Sequence, residues 1–209
     1  MNGYDDEKLP VSTHTGTFTI AYAGGIYLDR DPRGLFAAVG KVVKELGLTP
    51  EDLRVELMGD VISYGGIPTM ELGRQVGIDR HLQLMGPQPR QTALDLLAKA
   101  TVLVNLPQDS DMAIPSKIFE YMQFDAWLLA IAEPGSAVDL LLRESDADLV
   151  EGGNIDKMAQ ILRRRYIQFR SGERPKKLAS NIAFSRKEQA RKLFQALTPV
   201  CGSRCSSKE

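Results

Sequence analysis

Glu120 and Lys117 lie in the segment Ile114-Pro115-Ser116-Lys117-Ile118-Phe119-Glu120-Tyr121-Met122-Gln123, the part of the chain best equipped for chemistry. An apolar, strand-like run, Thr101 to Leu106, comes before it, then the polar loop Gln108-Asp109-Ser110-Asp111. A second apolar run, Trp127 to Ile131, comes after it. The pattern predicts strand, loop, short helix, strand, with Glu120 about one turn inside the helix. Helix side chains lean back toward the N-terminus, so Glu120 faces whatever occupies the helix mouth. That mouth offers free N–H groups and a positive dipole end, which suit a diphosphate. A carboxylate beside a phosphate suits ribose hydroxyls. Lys117 adds a cation at the same mouth. Ser116 reads as the helix N-cap, with a bond to a phosphate oxygen as the alternative.

A second set of groups precedes it in the chain. Phe18-Thr19-Ile20-Ala21-Tyr22 is rich in strand formers and ends at Gly24-Gly25, which lets backbone approach a phosphate closely. Arg30 follows at a loop-to-helix junction, before Asp31-Pro32, and offers a planar fork for phosphate oxygens. Asp60 and His81 are polar residues near strand ends whose expected role is structural.

The Ile114–Gln123 segment resembles the donor-binding helix of retaining GT-B glycosyltransferases (group 1, family 4-like), which include sucrose-phosphate and bacterial polysaccharide synthases. The resemblance extends over roughly residues 1 to 197 and implies the C-terminal, donor-binding half of such an enzyme. In that family the residue matching Glu120 holds the ribose of a nucleotide-sugar. A Gly-Arg strand end followed by a lysine holds the donor diphosphate there; here Gly25 stands in place of that arginine and Arg30 in place of the lysine. Gly86, Pro87 and Gln88 match the loop that borders the nucleobase through backbone groups. Family members often carry two glutamates eight positions apart. With Glu120 as the second, the first falls on Met112, and the adjacent Asp111 is a partial substitute.

The resemblance also sets a layout. Residues 1–10 look like the Asn-Gly-(aromatic or Val)-Asp segment that joins the two GT-B domains. The expected division is therefore a linker remnant over 1–16, a donor-binding domain over 17–170, a connection and terminal helix over 171–197, and a flexible tail over 198–209. The implied partners are a UDP-, GDP- or ADP-linked sugar and an acceptor-binding domain not included in this chain, on which most catalytic contacts lie. The implied activity is retaining sugar transfer in polysaccharide biosynthesis, with the isolated chain binding donor and turning over little. Two other readings remain open: a non-catalytic Rossmann-like binding domain, and a nucleotide-sugar epimerase of the same fold. The second needs an acid–base pair that the chain does not show. No cofactor or metal is expected.

Composition is that of an ordinary globular domain, 43% hydrophobic and 25% charged, and 209 residues suffice for a sizeable core. No apolar run approaches a membrane span and the N-terminus lacks a signal-peptide pattern, so cytoplasm is the default compartment. Cys201 and Cys205 fall in the Gly/Ser-rich tail. The net charge of −1 hides an asymmetry: residues 157–209 hold 14 Lys+Arg against 3 Asp+Glu, and residues 1–156 hold 12 against 24. Basic helices packed on an acidic body explain this, and a peripheral contact with anionic lipid is the alternative. No basic stripe is interleaved with aromatics, so nucleic acid is not an expected partner.

The remaining signals alternate. Leu35, Phe36, Val39, Val42, Val43 and Leu46 recur at helical spacing before Gly47. Strands are expected over 53–58, 81–85, 101–106, 127–131 and 148–150. Helices are expected near 68–76, 89–99, 135–143 and 155–169, and from Ser185, whose Ser-x-x-Glu pattern forms a capping box. Regular β-α alternation implies an α/β, Rossmann-like parallel sheet of about six strands with helices on both faces. Phe184, Leu193, Phe194 and Leu197 make an apolar stripe on the last helix.

Overall fold

The computed structural model of the chain describes residues 3–5, 7–14, 16–107, 111–178 and 184–202. Gln108, Asp109, Ser110 and Cys205 lie outside the described residues. In chain order the strands are β1 (Phe18–Ala23), β2 (Leu53–Met58), β3 (Ser63–Tyr64), β4 (Ile67–Pro68), β5 (Leu82–Met85), β6 (Val102–Asn105), β7 (Trp127–Ile131) and β8 (Asp148–Val150). The helices are α1 (Arg33–Leu46), α2 (Thr69–Gln75), α3 (Arg90–Lys99), α4 (Ser116–Tyr121), α5 (Ala137–Leu142), α6 (Ile155–Arg170) and α7 (Arg186–Gly202).

Among the described residues, six strands form one sheet in the order β5-β2-β1-β6-β7-β8, with every pairing parallel. The strands are apolar on both faces because helices cover both. Phe18, Ile20 and Tyr22 point into one core layer with Leu35, Val39, Met158 and Leu162 from α1 and α6. Ala21, Leu103 and Leu128 point into the other, with Leu97 of α3, Tyr121 of α4 and Leu142 of α5. Phe18 lies edge-on to Tyr166 and Phe169, with ring centroids 5.6 and 5.7 Å away. Burying one such ring stabilises the fold by about 1.5–3 kcal/mol, so the α6 stripe is core rather than surface.

The order reverses between β1 and β6. In sheets of this topology the crevice beyond the carboxyl ends at the reversal is where ligands bind. β1 pairs with β2 along all of its residues, from Phe18↔Leu53 to Ala23↔Met58. With β6 it shares only Ile20↔Val102 and Ala21↔Leu103. The two strands therefore part at their carboxyl ends, and the gap falls at Tyr22 and Ala23.

Several expectations shift. Residues 63–68, read as a connection, form the β3–β4 hairpin, because Gly65 and Gly66 take φ of 58° and 80° as a tight hairpin turn requires. His81 belongs to a 3-10 turn ahead of β5 and is buried, its ring Nδ1 2.9 Å from the Leu53 carbonyl; its role is structural. The last helix runs to Gly202, beyond the expected end at 197. Ser185 caps it, its Oγ accepting from the Glu188 N–H at 3.3 Å. The Glu188 carboxylate turns to Arg191.

The basic C-terminal third is tied to the acidic body. Arg163 pairs with Glu45 at 2.5 Å and Arg165 with Asp148 at 2.7 Å; Arg164 reaches the same Asp148. Asp148 is buried, so its two arginines matter more than the exposed pairs. Asp148→Ala should lower stability by about 2–3 kcal/mol, a fall in Tm of about 4–12 °C by thermal denaturation. Arg164→Ala, at the exposed partner, should stay within about 1 kcal/mol.

Candidate functional site

The gap between β1 and β6 leaves the Ala23 backbone without a strand partner on that side, and buried backbone groups must be paired. α4 supplies the partners. The Tyr121 hydroxyl accepts from the Ala23 N–H at 2.9 Å and donates to the Ala23 carbonyl at 3.2 Å. The Lys117 ammonium donates to the same carbonyl at 3.2 Å and to the Tyr22 hydroxyl at 2.9 Å. Tyr22 in turn donates to the Gly25 carbonyl at 2.7 Å. Lys117 also lies 4.1 Å from the centre of the Tyr22 ring. Ser116 to Tyr121 thus sit at the switch point because their side chains complete the end of β1.

Two glycines make room for this. Gly24 has φ +147°, and a Cβ there would come 2.4 Å from the Lys117 amine. Gly59, at the end of β2, has φ +122°, and a Cβ there would come 2.4 Å from the Gly24 carbonyl oxygen. The Gly24 N–H continues the ladder to the Met58 carbonyl, and the Gly59 N–H to that of Met85.

Burial pulls the Lys117 ammonium down to about 7, helped by the positive charge of Arg30 and opposed by Glu120. Burial also pushes the Tyr22 phenol up to about 12, with Arg30 beside it acting the other way. Arg30 stacks on Tyr27, 4.5 Å from the ring centre. The loop holding it includes Leu28 at φ 51°, whose carbonyl accepts from the Tyr64 hydroxyl at 2.5 Å. The β3–β4 hairpin therefore braces the Arg30 loop.

Glu120 projects to the outer side of α4, into a cavity of about 260 Å³ shared with Ser116, Lys117 and Gln123. Arg90, at the start of α3, forms ion pairs with both Glu120 and Glu7. The hydrogen bond to Glu120, then that to Glu7, holds the guanidinium well above its ordinary range. Gly3, Tyr4, Asp5 and Glu7 make a second wall, and Arg186 of α7 a third. The Tyr4 N–H donates to the Phe184 carbonyl, the Arg186 N–H donates to that of Tyr4, and Arg186 pairs with Asp5 at 2.7 Å.

The expected site residues divide as follows. Gly24, Lys117, Ser116 and Glu120 come together, and Arg30 stands within electrostatic range of Lys117. Gly25 accepts from Tyr22, and its α-carbon faces Tyr27 and Asp60. Gly86, Pro87 and Gln88 form the loop from β5 into α3, just ahead of Arg90. Asp111 and Met112 are exposed, and the Asp111 carbonyl accepts from Ala137 of α5. Ser116 is not the N-cap. Pro115 holds that position with extended ψ, and no side chain caps α4, so its first N–H groups are left to the helix mouth. Tyr22, Tyr121 and Arg90 were not singled out in the sequence; Tyr121, directly after Glu120, was the one with a local signal. Among the described residues no His/Cys/Asp/Glu group could hold a metal ion and no helix is long and apolar enough to cross a membrane.

No protein-family model and no curated protein matches the sequence. Solved structures do match. A glycosyltransferase from Rickettsia africae ESF-5 superposes with a TM-score of 0.66 at 16% identity, over 90% of this chain and 48% of its own. The C-terminal domain of a glycosyl transferase group 1 family protein (LpcC) from Francisella tularensis matches with a TM-score of 0.54 at 15% identity, over 73% of this chain and 80% of its own. The fold is that of a GT-B glycosyltransferase domain. Anabaena HepE, solved in complex with UDP-glucose, matches with a TM-score of 0.63 at 17% identity, over 88% of this chain and 49% of its own. The chain spans between 31 and 48% of the length of the first solved structures it matches.

The buried amine makes a pH signature for this GT-B domain. Desolvation draws the Lys117 amine down to about 7, so an anion seated against it above that pH would favour the charged form and take up a proton. Affinity for a diphosphate diester should be greatest below about pH 7 and fall as pH rises, approaching tenfold per unit. Calorimetry with UDP-, GDP- and ADP-glucose, in buffers of different ionisation enthalpy, reads the uptake. Lys117→Met should weaken binding and flatten the pH profile.

Proposed function

We propose that this chain is the donor-binding half of a glycosyltransferase that moves a sugar from a nucleotide-diphosphate donor to an acceptor, with retention. The observation that carries the reading is the placement of Lys117, Glu120 and the uncapped start of α4 around the Gly24 end of β1, at the reversal of strand order. Lys117, Arg30 and the α4 N–H groups face the diphosphate, and Glu120 accepts from the ribose hydroxyls. Gly86, Pro87 and Gln88 border the base, and Asp111 and Met112 lie toward the sugar. Chemistry needs the cleft between two domains, so the chain alone binds donor and turns over little. The match to a structure described as a C-terminal domain supports this division, as does the UDP-glucose bound to HepE.

Calorimetry with UDP, GDP, ADP and their sugar esters tests the pocket, and heat from none of them sinks it. Affinity should be modest, since closure by a second domain contributes much of the order in such sites. Glu120→Gln should weaken nucleosides and nucleotides alike, by about 1.5–3 kcal/mol for a lost charge-assisted acceptor. Arg30→Ala should penalise diphosphates and spare nucleosides. Equal losses from both variants across both ligand classes would place the groups wrongly.

A further inference from the structure

Arg90 is a poor residue for its position on structural grounds alone. It opens α3, where a cation opposes the positive end of the helix dipole, and its side chain is 58% exposed. Its place is explained by what it holds. One guanidinium nitrogen, Nη2, donates to Oε1 of Glu120 and to Oε1 of Glu7. Glu120 is the less exposed of the two acids, 20% against 38%, so the contact covers the carboxylate that α4 presents to the cavity. Glu7 belongs to the segment that forms the cavity's second wall, and that wall is fixed to α7 by the Tyr4–Phe184 and Arg186–Tyr4 backbone bonds and the Asp5–Arg186 pair.

We propose that Arg90 is a gate on the ribose subsite: supported by Glu7, it occupies the Glu120 carboxylate in the empty chain and must leave before a ribose diol binds there. The proposal rests on Glu120 being the ribose acceptor. A cis-diol presents two donors and is best met by both oxygens of one carboxylate, and Arg90 stands against one of them, Oε1. In this gate the diol takes the place of the guanidinium rather than sharing Oε1 with it, which removes part of what holds Glu7. By linkage, whatever loosens Glu7 from Arg90 makes Glu120 more available by the same factor. Nucleotide occupancy and the seating of residues 3–5 and Glu7 are thus coupled.

The gate predicts gains where a supporting contact would predict losses. Arg90→Gln in the full chain should tighten uridine, guanosine or adenosine binding about two- to fivefold, the range of exposed ion pairs. Glu7→Gln should act in the same direction, less strongly. Wild-type nucleoside affinity should rise with salt, because the covering pairs are screened, and that rise should vanish in Arg90→Gln. Diphosphate affinity should fall with salt in both. Amide exchange at Tyr4 and Arg186 should speed up when a nucleoside binds. Weaker or unchanged nucleoside binding in Arg90→Gln, or slower exchange on binding, overturns the gate while leaving the donor pocket intact. If neither the wild type nor the two variants bind any nucleoside or UDP, GDP or ADP, the donor reading fails and the gate with it.

Discussion

The parting of β1 from β6 is the constraint on which the site depends. Parallel pairing with β2 runs the full length of β1, while pairing with β6 stops at Ala21. Beyond that point the sheet cannot satisfy the Ala23 backbone, and an unpaired buried amide or carbonyl costs about 1–3 kcal/mol. Tyr121 and Lys117 relieve that cost, and in doing so they fix α4 at the end of β1. The position of Glu120 follows, since it lies one turn along the same helix. Gly24 is a consequence too, because a side chain there would collide with the Lys117 amine, and one at Gly59 would collide with the Gly24 carbonyl.

This explains how much was legible in the sequence. The six sheet strands and the core helices announced themselves through apolar runs and helical spacing, which are local signals. The Pro-Ser-Lys segment with Glu120 was legible because its chemistry lies within one short helix. The β3–β4 hairpin was missed because two-residue strands carry no periodicity; only Gly65-Gly66 marked it. Arg90 was invisible for a different reason. Its meaning comes from Glu120, thirty positions later, and from Glu7, at the far end of the chain. Ser116 misled because Ser is among the strongest N-cap residues, whereas here Pro115 itself takes the extended geometry of the cap position.

The charge asymmetry has a structural resolution in which each sign finds the other across helix α6. Arg163 reaches α1, and Arg164 and Arg165 converge on Asp148 at the start of β8. Arg165 is the more buried of these two and also lies over Trp127, 5.0 Å from the ring centre. The basic run is therefore part of how α6 is seated, and the Phe18, Tyr166 and Phe169 contacts complete that seating.

The two halves of the cavity are built on different physical terms. On the Lys117 side, desolvation draws the amine down to about 7. Its partners, the Tyr22 hydroxyl and the Ala23 carbonyl, belong to the end of β1, so that environment is built into the sheet. On the Glu120 side, Arg90 holds both Glu120 and Glu7 through half-exposed ion pairs, which are worth little individually and weaken with salt. A fixed half and an exchangeable half therefore meet on α4, and contacts of low local stability are the ones that open first.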